Sequence, residues 1–110
     1  MKDTLIKFIV VLYRKPGSLR EELRDYVVEV HGPMAEALPG LLRYVQNFVV
    51  ADPTRSDPGW DAVIELWWQT REEMEAAWLS DAGRAATADL ERFADLTRST
   101  WSIVEERVRR

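Results

Sequence analysis

The stretch from Leu5 to Tyr13 constrains this chain more than any other: apart from Lys7 it is apolar throughout, and β-branched or aromatic residues dominate it. Such a run reads as a β-strand buried on both faces. Trp60 to Gln69 reads as another strand. It sets Ala62, Ile64, Leu66 and Trp68 on one side and Val63, Glu65, Trp67 and Gln69 on the other, so both sides carry tryptophan. A tryptophan removes roughly 150 to 250 Å² from water, worth several kcal/mol as an upper estimate at about 25 cal/mol per Å². Each face of a sheet built from these strands therefore needs a cover. Helices of the same chain supply one. A second copy of the chain, meeting the first through a self-complementary surface, is the economical solution for the other, and a different protein is the alternative cover.

The remaining elements follow from local signals. Pro16-Gly17 stops the first strand, Ser18 with Glu21 reads as a capping box, and Leu19, Leu23, Tyr26, Val27 and Val30 fall on one helical stripe ending near His31. Gly32-Pro33 is expected to break that helix. A short helical turn through Met34, Ala37 and Leu38 follows, Pro39-Gly40 breaks the chain again, and a second strand runs from Leu42 to Ala51. Asp52 to Gly59 reads as an exposed loop, with two prolines and a glycine. Thr70 and Glu73 cap a helix carrying Met74, Ala77 and Trp78, and another helix from Ser80 or Asp81 carries Ala82, Ala86, Leu90 and Phe93. Ser99 to Val108 is the fourth strand. The order is that of a ferredoxin-like split βαβ fold: an α+β domain spanning residues 1–110, with a four-stranded antiparallel sheet and all helices on one face.

Composition removes whole classes of function. With no cysteine there is no disulfide, thiolate metal site or Cys nucleophile. A net charge of −4 without a clustered cationic face argues against nucleic acid. No apolar run approaches membrane-spanning length, and the start from Met1 to Lys7 lacks the marks of a signal peptide, so the expected location is the cytoplasm. Glycine-rich phosphate loops and nucleophile elbows are absent, and one histidine with scattered carboxylates is a poor metal set. No cofactor is expected.

Several residues carry possible chemistry. His31, the single histidine, is the acid-base candidate; the plainer alternative is a side chain serving the last carbonyls of its helix. Glu65, between apolar neighbours, is expected to have a raised pKa and to share a cavity with His31. Otherwise it is a structural carboxylate bonded to a neighbouring strand, to Arg43 or across a dimer interface. Tyr44, Gln46 and Asn47 either offer hydrogen-bond donors to a carbonyl or phenolic oxygen or are ordinary polar strand positions, Tyr44 packing with its hydroxyl at the rim. Trp67, Trp68, Trp78 and Phe93 form either a stacking platform for a flat ligand or ordinary core.

Two stretches, Glu29-Val30-His31-Gly32-Pro33-Met34 with Leu38 to Asn47, and Trp60 to Trp68, together resemble the EthD family, and Phe93-Ala94-Asp95 is similar to its closing helix. Gly32 stands where that family commonly has alanine. The resemblance implies a homodimeric α+β barrel with His31 beside a pocket for a small apolar ligand. The chemistry it implies is that of a cofactor-independent enzyme doing lyase, dehydratase or isomerase-type proton transfer on an aromatic or polyketide-like compound. Alternatives on the same scaffold are a non-catalytic binding protein and a monooxygenase that is cofactor-free or holds haem on His31.

Overall fold

The computed structural model describes residues 4–56 and 59–110; Met1 to Asp3, and Asp57 and Pro58 of the expected loop, lie outside the described residues. Strands β1 (Ile6–Leu12), β2 (Arg43–Phe48), β3 (Ala62–Trp68) and β4 (Thr100–Val104) form one antiparallel sheet in the order β2-β3-β1-β4. The two central strands are thus the two whose sequences are apolar on both sides. Register follows the pleat: Phe8 faces Leu66 and Ile103, Val10 faces Ile64 and Trp101, and Tyr44 faces Leu66. These residues share the helix-covered side. Lys7, Ile9 and Val11 share the other side with Val63, Glu65 and Trp67 of β3 and Arg43, Val45 and Asn47 of β2.

Helices α1 (Arg20–Tyr26), α2 (Gly32–Glu36), α3 (Arg71–Leu79) and α4 (Asp81–Asp89) form the covering layer. The core between layers contains Leu12, Leu23, Val27, Leu38, Leu66, Trp68, Met74, Ala77 and Phe93. Thr70 caps α3 by accepting from the Glu73 amide at 3.2 Å, and Ser80 caps α4 by accepting from the Gly83 amide at 3.1 Å, both as the sequence predicts.

Three local expectations need correction. The first cap sits one residue later: Glu22, not Glu21, bonds the Leu19 amide at 2.8 Å, while the Ser18 hydroxyl turns back to the Lys15 carbonyl. Leu19 and Val30 are accordingly exposed rather than on the buried stripe. Nor does Gly32-Pro33 break the helix. Val27–His31 form a π-turn, in which the Gly32 amide reaches back five residues to the Val27 carbonyl, and the chain enters α2 directly. The wider turn carries the chain past a proline that lacks an amide hydrogen. The strands are also shorter than the sequence predicts: β2 stops at Phe48, β3 starts at Ala62, and β4 spans only Thr100–Val104. No helix among the described residues is long and apolar enough to cross a membrane.

Candidate functional site

Between the helical layer and the sheet lies a cavity of about 300 Å³. Its floor is Phe8, Val10, Leu12, Ile64 and Leu66, with Tyr44 and Trp101 at the flanks; its roof is His31, Ala35, Trp78, Ala86, Thr87 and Leu90. The walls are almost wholly apolar, which suits a small greasy ligand oriented by a few polar groups.

The π-turn determines what the roof presents. His31 closes that turn and is only 7 % exposed. Its Nδ1 lies 3.0 Å from Oδ2 of Asp89, at the end of α4, and its ring packs on Phe93 with centroids 4.9 Å apart. The other Asp89 oxygen accepts from the Tyr26 hydroxyl at 2.8 Å and has Arg92 at 3.5 Å. A carboxylate oxygen accepts and does not donate, so beside Asp89 the Nδ1 of His31 carries its proton, and the residue forms part of the cavity roof. Burial raises the pKa of Tyr26, and the bond to Asp89 adds to the effect, so the phenol stays a neutral donor. The pairing of a buried imidazole with an orienting carboxylate is a general-base arrangement.

The structure sorts the expected site residues into groups. His31, Tyr44 and Trp78 line the cavity. Trp68 lies in the core with its indole donating to the Pro39 carbonyl at 3.0 Å, and Phe93 lies beneath the His31 ring. Glu65, Asn47 and Trp67 point away, on the opposite face of the sheet. His31 and Glu65 therefore do not share a cavity within the chain, because the pleat sends residue 65 to the side that Ile64 and Leu66 leave. The expected rise in the Glu65 pKa is also reversed. Hydrogen bonds from Lys7 at 2.7 Å and Asn47 at 2.8 Å hold the carboxyl below the ordinary range, outweighing burial. Lys7 pairs with Glu106 as well, at 2.8 Å, and both Lys7 and Arg43 lie over the Trp67 ring. The alternative of a structural carboxylate describes Glu65.

Asp89 is the partner of His31 that residue type alone does not single out, though the sequence carries a signal for it. It lies three residues after Ala86 and seven after Ala82, on the apolar stripe of α4, where a carboxylate must find partners. The indole N–H of Trp78 is buried with no acceptor, the one such side-chain atom among the described residues.

Haem does not fit these residues: a porphyrin is larger than the cavity of about 300 Å³, and no lysine or arginine lines it to meet propionates. Among the described residues, no group of three or more His, Asp or Glu side chains gathers to hold a metal ion.

Among curated proteins nothing matches the sequence. Among solved structures, an EthD family protein from Bacillus halodurans C-125 is 24% identical, with 94% of this chain and 99% of that chain covered and a TM-score of 0.79. A dimeric ferredoxin-like protein of unknown function from Thermobifida fusca YX is 14% identical, with 96% and 94% covered and a TM-score of 0.70. SnoaB from Streptomyces nogalater, a cofactor-independent oxygenase, is 12% identical, with 98% and 97% covered and a TM-score of 0.65. These likenesses establish a shared ferredoxin-like fold. The EthD domain model matches residues 15–97, the segment holding every residue of the His31 constellation, and the chain belongs to the EthD family.

Proposed function

We propose that the protein is a cofactor-independent enzyme that moves a proton on a small apolar carbonyl or phenolic compound, as lyases and isomerases do. The observation that carries this reading is the His31–Asp89 pair: a buried imidazole, its Nδ1 paired with a carboxylate, in a residue that lines an apolar cavity. In such a site Nε2 takes a proton from the carbon beside a carbonyl, and the electron pair of the broken C–H bond moves onto the carbonyl oxygen as an enolate. The imidazolium that forms is stabilised by Asp89 and returns the proton to the same or a neighbouring atom. Exclusion of water by the apolar walls strengthens each of these interactions.

The test is hydrogen–deuterium exchange at the acidic carbon of 2-tetralone in D2O, followed by mass spectrometry. The wild-type protein accelerates exchange over buffer. His31→Gln lowers the rate by about 100-fold or more. Asp89→Asn lowers it similarly, because an amide NH2 beside Nδ1 moves the ring proton to Nε2, which a nitrogen-15 NMR spectrum of His31 records directly. Exchange no faster than buffer would instead favour a protein that binds without turnover.

The same reading includes a twofold pair of chains. The sheet face opposite the cavity presents Ile9, Val11, Val45 and Val63, and none of the described helices covers it. The ferredoxin-like relative from Thermobifida fusca YX is described as dimeric, which supports a second copy as the cover.

A further inference from the structure

Tyr44 forms part of the cavity wall, and its hydroxyl oxygen lies 3.3 Å from Nε2 of Gln46, on the same face of β2. A second neighbour fixes which end of the Gln46 amide faces the phenol. The same atom lies 3.4 Å from the Val27 carbonyl oxygen, and since that oxygen only accepts, the atom between the two must be the NH2 group. One of its hydrogens points to Val27 and the other to Tyr44. The phenolic oxygen is thereby an acceptor from Gln46, and its own hydrogen remains to be donated. Among the described residues no acceptor receives it. Burial raises the pKa of Tyr44, against a smaller opposing pull from the Gln46 bond, and the negative charge of Glu36 adds to the rise, so the hydroxyl keeps that hydrogen.

Residue 32 makes the arrangement possible. A Cβ there would stand 2.7 Å from Gln46 Nε2 and 2.7 Å from the Val27 oxygen, nearer than real Cβ atoms approach. Only glycine admits the amide to the π-turn. Of the other polar side chains in the roof, Thr87 is already committed, its hydroxyl donating to the Gly83 carbonyl at 2.8 Å, while the Trp78 indole N–H has no acceptor.

We propose that Gln46 is a positioning residue that turns Tyr44 into a one-way hydrogen-bond donor toward the cavity, and that Gly32 is required to seat it. The inference rests on the cavity being a ligand site, as argued above. It adds the polarity of the ligand. With a phenolic donor from Tyr44, the unpartnered indole N–H of Trp78 and the His31 imidazole on largely apolar walls, the site selects a largely apolar body bearing a carbonyl or phenolate oxygen. A hydrocarbon of the same shape finds no partner for the phenol.

The probes are 2-acetylnaphthalene and 2-ethylnaphthalene, which differ in the oxygen. Calorimetric titration of the wild-type protein gives a ketone affinity roughly fivefold above the hydrocarbon's, the worth of one net hydrogen bond. The carbonyl stretch of the bound ketone moves to lower frequency. In Gln46→Met and in Tyr44→Phe the affinity ratio falls to about one and the stretch moves back, while hydrocarbon binding is retained and reports an intact cavity. Gln46→Glu acts more sharply, since a carboxylate accepts from the phenol and draws its hydrogen away from the ligand. A Gln46→Met protein that keeps both the ratio and the shifted stretch overturns the role of Gln46 alone. Failure of the wild-type protein to bind either naphthalene overturns the ligand cavity, and this inference with it.

Discussion

Asp89 shows how much one buried side chain decides here. It is 6 % exposed, and it receives bonds from His31 and Tyr26 at once. A lone carboxylate in that position would be costly to bury; with two donors satisfied it instead sets the tautomer of the only histidine. Lys7 presents the opposite case, a buried cation whose role is structural. Burial acts to lower its pKa, but Glu106 and Glu65 outweigh it and raise the value above the ordinary 10.5. Both carboxylates are in turn held below their ordinary 4.5, chiefly by Lys7. A raised Lys7 contributes stability that is present below 10.5 and lost as pH climbs through the folded value. The depressed glutamates contribute stability present above 4.5 and lost as pH falls through theirs. Lys7→Met removes the cation and with it the chief cause of the depression of both acids, leaving the smaller contributions of Asn47 to Glu65 and of Trp67 and Arg43 to Glu106. The gap in melting temperature between wild type and Lys7→Met should therefore narrow as pH is lowered from about 6 to about 3; a gap constant over that range would show that the trio is energetically idle.

At the scale of elements, the π-turn is the feature with the largest consequence. It lets a helix run on into Gly32-Pro33, puts His31 at the roof of the cavity, and brings the Val27 carbonyl against Gln46. A methyl group at residue 32 would meet the Val27 oxygen, a backbone atom that cannot step aside, so Gly32→Ala should cost about 1 to 3 kcal/mol. A lowered urea midpoint with unchanged slope is the expected result, and a midpoint equal to wild type would place the turn differently. The strands and their faces were legible in the sequence, because alternation in β3 and the apolar run of β1 are direct consequences of pleat and burial. The π-turn was not. Gly-Pro ordinarily signals a stop, and whether a helix absorbs it through one wider turn depends on tertiary room, here the gap above Gln46. For the same kind of reason the candidate site was half legible. Residue type singled out His31, Tyr44 and Trp78, but one step of pleat separates Glu65 from the cavity, and a hydrogen bond between residues 31 and 89 has no sequence-local trace.

Seen as a whole, the molecule is a helical layer on one side of a sheet whose other side is half apolar and half ionic. The ionic part seals Trp67 from within the chain: the ring is 5 % exposed, flanked by Lys7 and Arg43, and its indole donates to Glu106 at 3.1 Å. The apolar part, Ile9, Val11, Val45 and Val63, has no such seal and is where the second copy is proposed to sit. Sedimentation equilibrium at micromolar concentration should give twice the chain mass, and Val45→Lys should halve it by placing a charge in the seam; a wild-type monomer would remove the twofold arrangement.

Each central strand in effect carries two texts interleaved by parity. On β1 and β3 the even-numbered Phe8, Val10, Leu12, Ile64 and Leu66 line the cavity, and the odd-numbered Ile9, Val11 and Val63 lie on the opposite face, where the second copy is proposed. Selection for a new small molecule and selection for a steady partner therefore fall on different codons of the same few segments, and a lineage can rewrite one without disturbing the other.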